Sequence, residues 1–187
     1  MSNLTEILQA IDEGDQQAAA DLLPVVYDEL RRLAKSRLSR EKPGQTLQAT
    51  DLVHEAYRRL IDVTDGAEAK WNSAGHFFGA AAEAMRRILI EKARRQRVGP
   101  GKHRRPIDLD NLEIGVTVPA PELIALDEAL NRLEQRDVTA ARLVKLRFFA
   151  GLSMPETAET LEMPLRTAER KWRFVRSWLR KELGTEL

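Results

Sequence analysis

Residues 144–179 read VKLRFFAGLSMPETAETLEMPLRTAERKWRFVRSWL, and the local signals in this stretch decide the fold class. Ala150-Gly151 predicts the end of one helix, because Gly takes the left-handed conformation just past a helix at little cost. Ser153-Met154-Pro155-Glu156 has the form of a capping box, with Ser at the N-cap and Glu three residues on. Pro155 falls in the first turn, where a missing N–H has no helical partner to lose. The spacing then predicts a short helix to about Leu161, a turn at Glu162-Met163-Pro164 and a longer helix from about Leu165. Ala158, Leu161, Met163, Ala168, Trp172, Val175 and Leu179 fall on the faces that pack together. Arg166, Thr167, Arg170 and Arg173 are left on an outward face of the second helix, available to base edges and phosphates of a major groove. Glu162 stands where such turns often use Gly, and Pro164 stands where Ser or Thr would normally cap the second helix. Read from pattern alone, a plain helical bundle with a basic face is the competing interpretation.

Working outward, Ala, Leu, Glu and Arg dominate, β-branched runs are few, and apolar residues recur at spacings of three and four, so helix is expected nearly throughout. Leu22, Leu23, Val26, Leu30 and Leu33 form one such stripe, with a helix boundary or kink expected at Pro24. Lys42-Pro43-Gly44 reads as a turn. Thr50 or Asp51 is the expected N-cap of a helix whose apolar face is Leu52, Val53, Ala56, Tyr57 and Leu60, ending before Asp65-Gly66. From about Ser73 to Arg97 another helix turns Phe77, Ala81, Ala84, Ile88 and Leu89 inward, and its polar side becomes strongly basic towards the end. Periodicity stops between Val98 and Pro121, where seven Gly and Pro residues punctuate a stretch containing Asp108, Asp110 and Glu113. Helix resumes at Pro121-Glu122 with a stripe of Leu123, Leu126, Leu130 and Leu133. The expectation is an all-α chain: two small helical domains, 1–97 and 122–187, joined by a flexible acidic linker at 98–121, the second domain a helix-turn-helix.

The chain has 187 residues, is 43% hydrophobic and 32% charged, and carries a formal net charge of +1. That near-neutrality is a cancellation between polarised segments. Residues 1–30 hold seven acids and no Lys or Arg, residues 91–106 seven bases and one acid, and residues 107–140 eight acids and two bases. Residues 141–187 carry ten bases against six acids. Two basic blocks divided by an acidic connector suit a nucleic-acid partner better than uniformly solvated helix faces would. With no cysteine, a disulfide scaffold and a thiolate metal site are excluded. The opening MSNLTEILQAIDEGDQQ has no basic segment leading into an apolar run, and no stretch approaches the roughly 18 apolar residues of a membrane span, so a cytoplasmic location is expected. His54, His76 and His103 have no metal-ligand spacing, and neither a phosphate-binding Gly loop nor a Ser-His-Asp set is present, so neither catalysis nor a cofactor is expected.

Taken together and in order, LLPVVYDELRRLAKSRL, TLQATDLVHEAYRRLI, HFFGAAAEAMRRILIEKARRQR and the stretch from Val144 onward resemble the extracytoplasmic-function (ECF) group of bacterial RNA polymerase sigma factors of the sigma-70 family. The resemblance covers nearly the whole chain. It implies that the helix with Asp51, Glu55, Arg58 and Arg59 docks on core RNA polymerase, whereas the residues alone equally describe a solvated helix with i,i+3 and i,i+4 ion pairs. It implies that Trp71, Asn72, Ser73 and His76 lie where related factors capture an unstacked base of the −10 promoter element, with Trp71 as apolar wall or core anchor. Arg86, Arg87, Arg94, Arg95 and Arg97 would meet phosphates of the opening duplex. Arg166, Thr167, Arg170, Lys171 and Arg173 match the helix that reads the −35 element, although helical geometry turns Lys171 away from Arg170. The acidic linker matches a segment that threads the polymerase active-site cleft. The implied partners are core RNA polymerase and promoter DNA, with room for an anti-sigma factor. A stand-alone helix-turn-helix regulator and a sigma-like protein that sequesters polymerase are the alternatives.

Overall fold

The structure, a computed structural model, describes residues 2–13, 16–38, 49–62, 73–95 and 119–184. Among the described residues eight α-helices follow one another: α1 (Ser2–Asp12), α2 (Gln16–Leu38), α3 (Ala49–Asp62), α4 (Ala74–Arg95), α5 (Ala120–Arg136), α6 (Val138–Val144), α7 (Met154–Thr160) and α8 (Leu165–Glu182), with a π-helical segment, Lys145–Phe149, continuing α6. No strand occurs among the described residues, and the fold is all-α as the sequence predicts. The linker expected at 98–121 lies outside the described residues except for its end, where Pro119 occupies the N-cap of α5 and Pro121 its first turn. The turns expected at Lys42-Pro43-Gly44 and Asp65-Gly66 also lie outside them.

Two local expectations are corrected. Of the boundary or kink expected at Pro24, the boundary is absent, since α2 runs from Gln16 to Leu38 with Pro24 inside it. A proline inside a helix costs about 3 kcal/mol. Here Leu22, Val26, Leu30 and Leu33 are all buried on one side of Pro24 or the other, while Pro24 itself is exposed, so the carbonyl one turn back that loses its N–H partner can face water. Burial of about 1.5–3 kcal/mol per Leu or Val side chain outweighs the break. The second correction concerns α3, which starts at Ala49, so that Thr50 and Asp51 sit in its first turn; there the Asp51 carboxylate still complements the helix dipole.

Helix α4 is the centre of the molecule. The expected inward residues Phe77, Ala81, Ala84, Ile88 and Leu89 are buried, but so are Phe78, Ala82, Met85, Arg86, Ile90 and Ala93. At about 100° per residue these positions cover well over half of the helix circumference, much more than the apolar stripe of a surface helix. The reason is that α4 is packed against by α1, α3, α5, the π-helical segment and α7 together. The buried residues from Leu4 to Leu179 accordingly form one continuous core.

The C-terminal helices are tied to one another by polar contacts. Asp137 caps α6, its Oδ1 accepting from Ala140 N–H at 2.8 Å, and its Oδ2 accepts from Lys171 Nζ at 2.6 Å. The Lys171 hydrogen bond is the main influence holding the Asp137 carboxyl below its ordinary range, against the opposing effect of burial. Arg147 donates to the Leu152 carbonyl at 2.9 Å and lies over the Trp172 ring at 5.5 Å. Replacing Asp137 by Ala removes the cap and the tie to α8 together. A loss of about 1–2 kcal/mol is expected, seen as a fall in Tm of roughly 3–6 °C. Asp137→Asn, which keeps a capping oxygen, should recover about half of it in the same melt.

Candidate nucleic-acid interface

The α7–turn–α8 unit is assembled by the chemistry its residues dictate. Ser153 Oγ accepts from Glu156 N–H at 3.4 Å and the Glu156 carboxylate accepts from Ser153 N–H at 2.7 Å, completing the capping box. Burial pushes the Glu156 carboxyl up, but its hydrogen bonds from Ser153 and the charge of Arg32 outweigh this and hold it below its ordinary range. At the other end of α7, Glu162 N–H donates to the Glu159 carbonyl and Met163 N–H to the Ala158 carbonyl, both at 3.0 Å, which is the double closure of a Schellman motif. Glu162 occupies its left-handed position at φ 52°, where a side chain is disfavoured. Glu162→Gly should therefore stabilise the domain by about 1 kcal/mol, a rise in Tm of roughly 2–4 °C; an unchanged or lower Tm would show that the Glu162 side chain contributes an offsetting contact. No side-chain cap reaches the start of α8 behind Pro164.

Ala168, Trp172, Val175 and Leu179 bury one face of α8. Arg166, Arg170 and Arg173 stand exposed on the opposite face, as expected, and Thr167 lies half-buried at its edge. Lys171 is turned aside to Asp137. Reading of the sequence missed Phe174, which shares the arginine face and is 59% exposed. The available signal was its position, one turn after Arg170 and two after Arg166.

On α3, Asp51 and Arg58 are exposed and Glu55 and Arg59 half-buried. Glu55 accepts from Arg58 at 2.7 Å and from Arg59 at 2.9 Å, and Arg59 also holds both oxygens of Glu91 on α4, at 3.0 and 2.7 Å. The Arg59 hydrogen bond is the leading cause that keeps Glu55 below its ordinary pKa. These residues form a pre-ordered, alternating-charge surface.

Around α4, Trp71, Asn72 and Arg97 lie outside the described residues. Ser73 is exposed and its Oγ accepts from His76 N–H at 3.1 Å, so the hydroxyl oxygen caps the helix; the His76 side chain is exposed beside it. The arginines separate. Arg87 and Arg95 are exposed, Arg87 paired with Glu83 at 3.1 Å. Arg94 is exposed and reaches Asp127 at 3.4 Å. Arg86 is turned inward, 9% exposed, with Nε on Asp127 at 2.8 Å, Nη2 on Asn131 at 2.7 Å and Nη1 on Glu83 at 3.1 Å, so in this packing its fork faces protein carboxylates instead of solvent.

Compared with protein families, the chain matches the sequence profile of the family described as ECF sigma factor over residues 1–185. The chain belongs to the ECF sigma factor family. A comparison with curated proteins returned no match. Membership makes this ECF sigma factor a transcription-initiation protein partnered with RNA polymerase and promoter DNA. No described helix is long and apolar enough to cross a membrane, and among the described residues no cluster of His, Cys, Asp and Glu is arranged to hold a metal ion.

Proposed function

We propose that the chain is a promoter-specificity subunit whose two segments, 1–97 and 122–187, divide the work. In this reading Asp51, Glu55, Arg58 and Arg59 on α3 dock on core RNA polymerase. Ser73 and His76, with Trp71 and Asn72, receive a −10 base, and Arg87, Arg94, Arg95 and Arg97, joined by Arg86, hold the adjoining phosphates. Arg166, Thr167, Arg170 and Arg173 on α8 read the −35 element.

The observation that carries the reading is the face of α8. Three arginines spaced four and three residues apart stand exposed on a helix anchored by its opposite side to a capped α7 and a Schellman turn. Arg pairs with guanine O6 and N7, and an exposed aromatic such as Phe174 can contact a thymine methyl, so this face has the chemistry for mixed-sequence major-groove readout. From Arg166 to Phe174 is about 12 Å of helix, comparable to the reading length of other recognition helices.

Run-off transcription with purified core polymerase and a promoter library tests it. A promoter-dependent product that requires the chain is expected. A stable complex with polymerase that yields no such product would replace this reading with sequestration of polymerase, and tight binding of the isolated chain to a palindromic duplex would replace it with a stand-alone regulator.

A further inference from the structure

Glu169 stands among the arginines of α8, and we propose that it is a specificity-determining residue, its carboxylate accepting from the exocyclic amine of one cytosine in the −35 element. The inference rests on the reading of α8 as the helix that enters the major groove there. Arg166 lies three residues before Glu169 and Arg173 four after it, and all three are exposed. At about 100° per residue they fall within about 60° of one another around the helix. Glu169 thus forms one flank of the arginine face and Phe174 the other.

Glu followed by Arg four residues on is the favoured order for an intrahelical ion pair. Elsewhere in the chain that spacing is closed: Glu55 holds Arg58 and Arg59 at 2.7 and 2.9 Å, and Glu83 holds Arg86 and Arg87 at 3.1 Å. On α8 it is open, since among the described residues no ion pair takes up Glu169, Arg166, Arg170 or Arg173. A carboxylate facing phosphates is repelled, so an acid on a DNA-reading face is accommodated best by a donor on a base edge. In the major groove guanine and thymine present acceptors, and adenine sets beside its N6 donor an N7 acceptor that would face the second carboxylate oxygen. Cytosine presents its N4–H donor with no acceptor next to it. The groove is about 12 Å wide, close to the diameter of a helix with its side chains, so the flanks of the face reach base edges as well as its centre. With arginine on the guanine of one pair and Glu169 on the cytosine of another, this face distinguishes G·C from C·G.

A promoter library randomised across the −35 element, transcribed by core polymerase with the full chain and read by sequencing the transcripts, tests the assignment. With the wild-type chain one position is expected to favour C by about tenfold. Glu169→Gln, whose amide matches N6 and N7 of adenine, should move the preference at that position to A, and Glu169→Ala should flatten it to within about twofold, with every other position unchanged. A rise in transcript that is the same for every promoter in both variants would mark an acid that only repels phosphate, and overturns the assignment, as does the absence of any C preference in the wild type. A loss shared by all promoters together with weaker core binding overturns it too, placing Glu169 against polymerase. A −35 preference that ignores residue 169 leaves the proposed function standing; absence of any promoter-dependent transcript fails that function, and the assignment with it. The wild-type chain supplies an arm that needs no variant. N4-methylcytosine at the favoured position keeps its pairing while its methyl replaces the major-groove donor, whereas 5-methylcytosine leaves the amine intact. The first should cut transcription about tenfold and the second should not; equal use of the two templates overturns the assignment.

Discussion

Asp127→Ala should lower the Tm by roughly 6–12 °C, corresponding to about 3 kcal/mol in a chain of this size. The effect is large because the carboxylate is nearly inaccessible and its loss leaves the Arg86 guanidinium buried with only Glu83 and Asn131 to satisfy it. Burial, the largest single influence on Arg86, works against its charge, and the charges of Glu83 and Asp127 overcome it. The penalty therefore belongs mainly to the stranded charge. It follows that the double replacement Arg86→Met with Asp127→Leu should recover most of the lost stability, since apolar side chains of similar volume commonly substitute for a buried ion pair without net cost. Thermal unfolding followed by circular dichroism compares the three proteins. A shift below about 2 °C for Asp127→Ala would mean that the pair is solvated in solution, contrary to the packing of α5 on α4.

Arg166→Ala combined with Arg170→Ala should weaken use of −35-dependent promoters by roughly 100-fold, or about 3 kcal/mol, on the basis of about 1–3 kcal/mol for each specific arginine–base contact. Neither side chain takes part in the burial of α8, so the fold and the affinity for core polymerase should be unchanged. Transcription from paired promoters with and without a −35 element, alongside a direct measurement of core binding, separates the two effects. An equal loss of core affinity would show that this face docks on polymerase instead of DNA.

The α7–turn–α8 unit was legible in the sequence because its determinants are local. A Ser and a Glu three residues apart, a proline inside a first turn and a Gly at a helix end act over one turn of backbone, and each took its expected place at Ser153, Glu156, Pro155 and Gly151. Glu162 illustrates the limit of that reasoning. It lacks the residue type that favours a left-handed turn, yet the two backbone hydrogen bonds of the Schellman closure hold it there. The apolar stripes were equally legible, because period alone places Leu123, Leu126, Leu130 and Leu133 on one side of α5.

Everything that depends on which helix covers which was decided by tertiary structure. The continuity of α2 through Pro24 rests on the burial of residues along the whole helix, a sum that no local signal reports. The sequence marks Arg86, Arg87, Arg94 and Arg95 as one basic cluster, since all are cations on the C-terminal half of one helix. Only the approach of α5 separates them, burying Arg86 against Asp127 and Asn131 while Arg87 and Arg95 stay in solvent. Sequence by itself thus determined an all-α chain with a capped helical pair and an outward arginine face. Which of its cations are free to meet a polyanion was determined by long-range ion pairing and burial, because the partner carboxylate lies 41 residues away along the chain and becomes a neighbour only in the folded core.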